Sequence, residues 1–405
     1  MAWQPLLEGD LAARARDAVR AIAEDIPRVA PTDPGLPSGQ AGLAVFYAYL
    51  SYADEGSEDV AQDYLVRAAD AIADVPLPPA LHGGFSGVAW AVEHLCASPD
   101  DPADLNGDID SALLELMSSA PWPDTYDLIG GPVGIGVYAL ERSGRPLGRA
   151  LLDAVVARVA EMAEPAADGL TILTPPGHLI PETRERYPDG QYNLGVAHGV
   201  PAVIGLFGSA PGDQARHLRE GLTAWMRSIR HVGPDGSLYP YAIDRRDPQP
   251  NAGCRAAWCY GDPGIAVALL RGARAAGDAA LEEMALEIGR TVAARPPATA
   301  GVVDAGLCHG SAGLLHIFNR LYQATGDEAF RAAAMHWAGD TLAQRLERSE
   351  GVAGYRSYRR DDSSPWVADA TLLTGATGIA LALLAATTDI EPRWDVTLLC
   401  DVPPR

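Results

Sequence analysis

The sequence predicts an all-α fold, an α/α toroid in which a ring of seven outer helices surrounds a ring of seven inner helices. Two observations predict it: a G-x-x-G turn followed by an apolar segment recurs seven times in 405 residues, and an amphipathic segment precedes each copy. The last copy is as apolar as the others, which favours a closed ring over an open solenoid with polar ends. We therefore expect one domain spanning residues 1–405.

The apolar segments predict the inner helices. Their first glycines are Gly39, Gly84, Gly131, Gly199, Gly261, Gly310 and Gly375. In the fourth copy Ala202 replaces the second glycine. Apolar residues fill nearly every position after each turn, so each copy predicts a short helix that is buried on all sides. The glycines permit a positive φ at the turn and a close approach of neighbouring backbones.

The amphipathic segments predict the outer helices, because their apolar residues recur at helical spacing with charged residues opposite. They cover residues 10–26, 59–75, 105–119, 147–163, 213–229, 280–296 and 328–347. If all the inner helices run in one direction, the residues just before each G-x-x-G turn converge at one end of the ring.

Composition excludes several classes of partner. The net charge of −22 argues against nucleic acid and against an anionic membrane. The N-terminus lacks the apolar core of a signal peptide, and no apolar run is long enough to span a bilayer. Five cysteines form a sparse, odd set that is typical of a reducing compartment. We expect a cytoplasmic protein without membrane insertion.

Metal-binding residue types stand at the predicted convergence point. Cys308 and His309 directly precede the sixth turn, Cys259 holds the register of Cys308 in the fifth copy, and His198 holds the register of His309 in the fourth. Two thiolates and an imidazole are ligands that zinc prefers, and three protein ligands leave a fourth position for substrate. Adjacent Cys308 and His309 diverge by about 100° on a helix, but a glycine turn lets both reach one metal ion.

Other candidate residues receive different interpretations. Asp127 lies four residues before the third turn and so near the axis. His82 lies two residues before the second turn; we expect it to be structural, although it could line the cavity. The cysteines outside the register, Cys96, Cys254 and Cys400, are expected to be structural. So are His94, His178, His217, His231, His316 and His336, which fall on helix bodies or loops.

Four motifs together resemble the lanthionine synthetase C family, the LanC cyclases of lanthipeptide biosynthesis. They are "YDLIGGPVG" (126–134), "NLGVAHGVPA" (193–202), "RAAWCYGDPG" (255–264) and "CHGSAG" (308–313). The resemblance covers the whole chain, since the seven repeats match the α/α toroid of that family. Ala202 departs from its pattern and bears on the local turn geometry.

The resemblance implies zinc held by Cys259, Cys308 and His309. Asp127 and His198 match the candidate acid/base residues of the family, and Arg255 and Tyr260 match residues that line its cavity. The implied activity is that of a stand-alone class I cyclase, which adds peptide cysteine thiols to dehydroalanine or dehydrobutyrine to form thioether rings. The implied partner is a dehydrated precursor peptide, leader plus core, and a separate dehydratase and a transporter are further candidates.

The chemistry requires a proton at Cα after the thiolate attacks Cβ, so a general acid is needed near the metal ion. We expect His198 to be that acid, Asp127 to orient it or to help deprotonate the thiol, and Arg255 to stabilise the enolate oxygen.

Three alternatives stay open. The same zinc site could add glutathione to dehydrated residues, and a toroid could bind peptides without turnover. A carbohydrate-processing barrel would need paired carboxylates, for which Asp127, Asp262 and Asp304 are available near the axis, but it would leave the cysteine and histidine set without a purpose. Loops 174–191 and 357–366 either line the entrance or are ordinary surface loops.

Overall fold

The computed structural model describes residues 2–96, 104–119, 121–247, 253–360 and 363–405, which contain fifteen α-helices. In chain order these are α1 (Gly9–Val29), α2 (Gln40–Tyr52), α3 (Glu58–Asp74), α4 (Phe85–Cys96), α5 (Gly107–Ser118), α6 (Pro132–Glu141), α7 (Pro146–Met162), α8 (Pro181–Arg186), α9 (Val200–Phe207), α10 (Asp213–Ser228), α11 (Asp262–Ala276), α12 (Ala279–Ala293), α13 (Ser311–Thr325), α14 (Glu328–Ala343) and α15 (Ala376–Thr387). Every predicted inner and outer helix is present, and α8 is a short addition.

The inner helices form a closed ring. Each packs against the next in the order α2, α4, α6, α9, α11, α13 and α15, and α15 packs against α2 again. The outer helices α3, α7, α10, α12, α14 and α1 cover α2, α6, α9, α11, α13 and α15 respectively. The predicted α/α toroid is confirmed. Among the described residues, no helix has the length and apolar character needed to cross a membrane.

The two rings differ in burial as their sequence patterns predict. Every residue of α15 is buried. The outer helix α10 instead buries one face, on which Ala215, Leu218, Leu222 and Trp225 follow one another at helical spacing. The apolar inner segments therefore fold as helices surrounded by other helices, and the amphipathic segments form the solvent boundary.

The repeat glycines are required for space rather than for backbone conformation. A Cβ atom on Gly310 would lie 2.5 Å from the Asp304 carbonyl oxygen, and one on Gly313 would lie 2.0 Å from the Leu307 carbonyl oxygen. Of the seven first glycines, all of which the structure describes, only Gly261 has a positive φ, of 119°. Close approach of the preceding loop is thus the general reason for the motif. Ala202 does not prevent α9 from starting directly after its turn.

A belt of backbone hydrogen bonds links the turns of neighbouring repeats. The belt runs through the residues two positions before each first glycine. In each of its bonds the amide of one such residue donates to the carbonyl oxygen of another: His82 N to Ile129 O (3.1 Å), Ala197 N to Cys259 O (3.3 Å), Cys259 N to Cys308 O (3.3 Å), Cys308 N to Leu373 O (2.8 Å) and Leu373 N to Pro37 O (3.1 Å). Because five of the seven neighbouring pairs of repeats are joined at the same position, the inner helices begin at one end of the ring. We call this the amino end, and the opposite one the carboxyl end.

Three short antiparallel strand pairs were not predicted. β1 (Ala163–Ala166) pairs with β2 (Gly169–Ile172), β3 (Gln191–Asn193) with β4 (Ala242–Asp244), and β5 (Ser357–Tyr358) with β6 (Trp366–Val367). All of them lie in segments that lead from an outer helix to the next inner helix, and hence at the amino end. Loop 174–191 contains α8 and reaches β3, while β5 and β6 bracket loop 357–366, of which 361–362 lie outside the described residues. Strands of two to four residues leave no periodic signal in a sequence.

Candidate metal centre

The structure brings Cys259, Cys308 and His309 together at the amino end. The two sulfur atoms and a ring nitrogen of His309 all lie within 4.8 Å of one another, and both cysteines are buried while His309 is half-buried. Two thiols and an imidazole form a donor set suited to Zn²⁺, which prefers sulfur and nitrogen ligands. The residues present therefore fit a zinc ion, and they come from two neighbouring repeats.

The backbone belt explains why these side chains meet. The Cys308 carbonyl oxygen accepts hydrogen bonds from the amides of both Trp258 (3.1 Å) and Cys259 (3.3 Å), which fixes one ligand loop against the other. His309 lies in the turn before α13, which begins at Ser311. Since the helix has not yet begun, the side chains of Cys308 and His309 are not separated by the rotation between consecutive helical residues. This agrees with the geometry expected from the sequence.

The two thiols differ in acidity because they share a hydrogen bond. Donation from Cys308 holds the pKa of Cys259 well below its usual range, with further help from His309 and from the positive charge of Arg255. The same hydrogen bond raises the pKa of Cys308, and burial raises it further. Ionisation of one sulfur therefore opposes ionisation of the other, and a cation bound between them would favour both thiolates.

His198 and Asp127 form a hydrogen-bonded pair at the same end of the ring. His198 Nδ1 lies 2.7 Å from Asp127 Oδ2, and the Gly130 amide donates to Asp127 Oδ1 at 2.8 Å. Burial by itself raises the pKa of Asp127, but the hydrogen bond and charge of His198 outweigh burial and lower it overall. An ionised carboxylate only accepts, so Nδ1 carries the proton and Nε2 of neutral His198 is left as a base. The His198 side chain is 42% exposed and can reach a solvent-borne substrate.

Tyr260 and Arg255 lie beside these groups. The Tyr260 ring centroid is 6.2 Å from that of His198, and its hydroxyl accepts a hydrogen bond from Asn193 Nδ2 at 3.0 Å. Burial raises the pKa of Tyr260 to about 12, so it stays protonated at neutral pH. Arg255 acts on the thiols through its charge, and its buried Nε makes no hydrogen bond within the described part of the chain. That N–H is available for an anionic group.

His82, which the sequence predicted to be structural, lies next to this pair. Its ring is buried, Nε2 lies 3.0 Å from the Thr397 carbonyl oxygen, and Nδ1 has no partner in the described residues. Burial lowers the pKa of His82 to about 4, and the charges of Asp127 and His198 also act on it. The available signal was register, since His82 stands two residues before its turn, as Cys259 and Cys308 do.

The remaining candidates do not join the cluster. Burial raises the pKa of Cys254 and of Cys400, and Cys96 is exposed. Asp262 accepts a hydrogen bond from the Leu238 amide (2.8 Å), and Asp304 accepts from the Tyr358 amide (2.9 Å). These two carboxylates hold loops in place instead of forming a facing pair of the kind that a glycosidase needs.

Comparison with known families agrees with this site. The family described as lanthionine synthetase C-like protein matches residues 30–399. The chain belongs to the lanthionine synthetase C-like family. The match covers both ligand loops, the Asp127–His198 pair and all seven inner helices, so the family resemblance seen in the four sequence motifs is confirmed.

Solved structures support the architecture of this lanthionine synthetase C-like protein. A nisin cyclase aligns with a TM-score of 0.76 and 19% identity, covering 95% of this chain and 97% of the other. At that identity the likeness shows the fold, which is the predicted toroid. A sugar epimerase from a ruminal bacterium aligns with a TM-score of 0.44 and 14% identity over 86% of each chain, and that likeness carries no argument.

Proposed function

We propose that this protein is a zinc-dependent lanthipeptide cyclase. It adds cysteine thiols of a dehydrated precursor peptide to dehydroalanine or dehydrobutyrine residues of the same peptide, forming lanthionine or methyllanthionine rings. The observation that carries the proposal is the convergence of Cys259, Cys308 and His309 at the amino end of the ring where the Asp127–His198 pair also lies. Membership of the lanthionine synthetase C-like family and the fold of a nisin cyclase support it.

The reaction needs one proton removed and one delivered. The thiol loses its proton, a bond forms between sulfur and Cβ of the dehydro residue, and Cα of the resulting enolate takes up a proton, so peptide mass is unchanged. When held by Cys259, Cys308 and His309, zinc supplies Lewis acidity, which lowers the pKa of a substrate thiol from about 8.5. The protein's own groups must then manage the protons.

His198 is placed to move those protons. With Nδ1–H directed at Asp127, Nε2 faces away from the carboxylate and is free to accept a proton and then to return it. Asp127 holds this tautomer and stabilises the imidazolium that forms between the two transfers. We assign His198 as the general acid that protonates Cα and Asp127 as the residue that orients it.

Arg255 and Tyr260 complete the proposed site. The buried Arg255 Nε has no partner among the described residues and is suited to the enolate oxygen, where negative charge develops. Tyr260 stays protonated and packs beside His198, so it restricts where the peptide can lie. We propose that residues 1–405 act as one cyclase domain in the cytoplasm, where the thiols of the metal ligands and of the substrate stay reduced. A separate dehydratase is a proposed further partner. We expect the cyclase, the dehydratase and a transporter to form one complex.

The test is metal content followed by thiol counting. Purified protein is expected to carry about one zinc ion per chain, and to consume the free thiols of a dehydrated precursor peptide without a change in peptide mass. The variant Cys308→Ala should lose both properties. Cys254→Ala, which removes a buried cysteine outside the cluster, is the matched control and should keep both.

The outcomes separate the alternatives. Thiol loss that needs added glutathione and raises the peptide mass would replace intramolecular cyclisation with glutathione addition. Zinc-free protein that binds the peptide and consumes no thiol would make the toroid a peptide-binding scaffold. In either case the cyclase assignment would be abandoned.

A further inference from the structure

The C-terminal residues do not lie on the outside of the toroid. After α15 the chain turns back, and residues 392–402, which we call the C-terminal plug, include a 3-10 helix at Arg393–Leu398. The side chains of Trp394, Asp395, Leu398 and Cys400 are almost completely buried. A terminal segment with this degree of burial must be surrounded by the rest of the fold.

Contacts from opposite sides place the C-terminal plug inside the ring. Asp395 accepts hydrogen bonds from His316 Nε2 and Arg320 Nε of α13, both at 2.7 Å. Arg271 of α11 donates to Asp401 at 2.6 Å. The 3-10 helix also packs against α6, which stands three places from α13 in the ring of seven inner helices. Helices on opposite sides of the ring can contact one segment only if that segment occupies the central opening.

The side of the plug that faces the amino end is bonded to residues beside the candidate metal centre. The Thr397 carbonyl oxygen accepts a hydrogen bond from His82 Nε2 (3.0 Å), and the next one, of Leu398, accepts from Trp258 Nε1 (2.8 Å). Trp258 directly precedes Cys259. Two consecutive carbonyl groups of the plug are therefore bonded to His82, which lies in the backbone belt, and to Trp258, which directly precedes a residue of the belt.

On the carboxyl side of the plug lies a separate cavity of about 1110 Å³. The C-terminal plug contributes to its wall through Arg393, Val396 and Asp401. Its carboxylates already have side-chain partners, for example Arg142 for Glu93 and His94 for Glu141. The described residues that line the cavity include no cysteine and none of the proposed catalytic residues, and the plug stands between it and the metal centre.

We infer that the ring is closed along its axis, and that the peptide both enters and leaves through the amino end. This rests on the proposed cyclase function and specifies the substrate. The enzyme acts on an internal loop of a dehydrated peptide and needs no free terminus. Threading would require displacing the plug, which would take Asp395 from the buried Arg320 and leave the partly exposed Glu391 as its carboxylate partner. Entry through one mouth requires only that the peptide fold back on itself.

The test alters the substrate and leaves the enzyme intact. A dehydrated peptide with one cysteine and one dehydroalanine is prepared free, with a folded domain at its N-terminus, with one at its C-terminus, and with one at each end. Glycine- and serine-rich linkers of about 30 residues give a reach of about 30 Å, more than the roughly 20 Å length of α2. A free peptide carrying the same linkers without the domains is the matched control.

The expected result is that all four substrates are cyclised with kcat/KM values within about threefold of the control. Loss of more than about a hundredfold for the doubly blocked peptide, or for either singly blocked one, would show that a free end must pass through the ring and would overturn the inference. Titration of the same substrates against metal-free protein gives a second readout, in which Kd should not depend on the end domains. If the free peptide itself loses no thiol, the cyclase proposal fails, and the binding comparison still decides how the peptide enters.

Discussion

Two histidine–aspartate pairs in this protein have the same separation and different surroundings. His198 and Asp127 lie 2.7 Å apart at the amino end, and His316 and Asp395 lie 2.7 Å apart inside the ring. The side chains of the first pair are 42% and 6% exposed, whereas those of the second are 1% and 0% exposed. Separation alone therefore does not tell a proton-transfer pair from a structural one.

The partners of each carboxylate make the distinction. Asp395 is also bonded to the buried guanidinium of Arg320, and the His316 ring stacks on Trp394 at 4.7 Å. The other partners of Asp127 are neutral, the Gly130 amide and the Thr125 side chain, and the His198 ring is partly exposed. One pair neutralises charge in the core, and the other is the pair that we propose exchanges a proton with a substrate. The following changes test that contrast.

The largest expected effect is on the rate of cyclisation. His198→Asn should lower kcat by about 10²–10⁴-fold, because proton transfer to Cα loses its acid. The free energy of unfolding should fall by about 1–2 kcal/mol, since buried Asp127 loses its hydrogen bond from the His198 ring. Single-turnover thiol consumption and urea unfolding measure the two quantities. A variant that keeps most of its rate would remove the acid assignment.

The next effect is on stability, inside the ring. Asp395→Asn removes the buried carboxylate from Arg320 and leaves the partly exposed Glu391 as its ion-pair partner, so the free energy of unfolding should fall by about 3 kcal/mol. Asp127→Asn is the matched change: it keeps the bond from the Gly130 amide, so we expect a loss below about 1 kcal/mol. It should nevertheless slow the reaction, because an amide favours the other tautomer of His198. Equal losses of stability in the two variants would contradict the contrast.

A smaller effect is expected when pH is lowered. Burial holds the pKa of His82 at about 4, so the folded state keeps it neutral while the unfolded chain binds a proton below about 6.5. The contribution of His82 to the free energy of unfolding is therefore highest above about pH 6.5 and falls as the pH is lowered toward 4. We expect His82 to account for a loss of about 2 kcal/mol between pH 7 and pH 5. His82→Gln, which can still donate to Thr397, should remove this part of the pH dependence.

The measurement is the difference in unfolding free energy between wild type and His82→Gln at pH 7 and pH 5. The difference isolates His82 because every other titrating group is present in both proteins. Such a comparison is needed because Asp262 acts with the opposite sign: burial raises its pKa to about 6, so the folded state gains stability as that carboxyl becomes protonated. The Asp395 contribution is lost only when the pH falls below about 4, since Arg320 and His316 keep its pKa below the usual value despite burial. An unchanged pH dependence in the variant would place a proton on His82 in the folded state.

The smallest expected effect is that of Tyr260→Phe. The change removes one hydrogen bond with Asn193 and keeps the ring beside His198, so stability should fall by about 1 kcal/mol. If Tyr260 only restricts the peptide, KM should rise by less than about tenfold while kcat is kept. Steady-state kinetics on one dehydrated peptide separate the two, and a fall in kcat alone would give the Tyr260 hydroxyl a part in the chemistry.

The helices and the ligand register were predictable because both are local patterns. The amphipathic segment predicted at 213–229 is the helix Asp213–Ser228, and each inner helix begins at its G-x-x-G turn. Register placed Cys259, Cys308 and His309 at one end, and the backbone belt gives the physical reason. Close approach of the backbone, one of the two reasons given for the repeat glycines, explains most of the turns. Positive φ, the other reason, applies to Gly261 alone among the seven first glycines.

Sequence by itself determined the number of repeats, the two kinds of helix and the residue types at the amino end, because periodicity and spacing record burial and direction along the chain. Tertiary structure alone decided which histidines are reachable and what fills the ring. His82 bonds Thr397 across 315 residues of chain, and His316 bonds Asp395 across 79. Such contacts leave no local pattern, since they exist only when ring closure brings the C-terminal plug onto the axis.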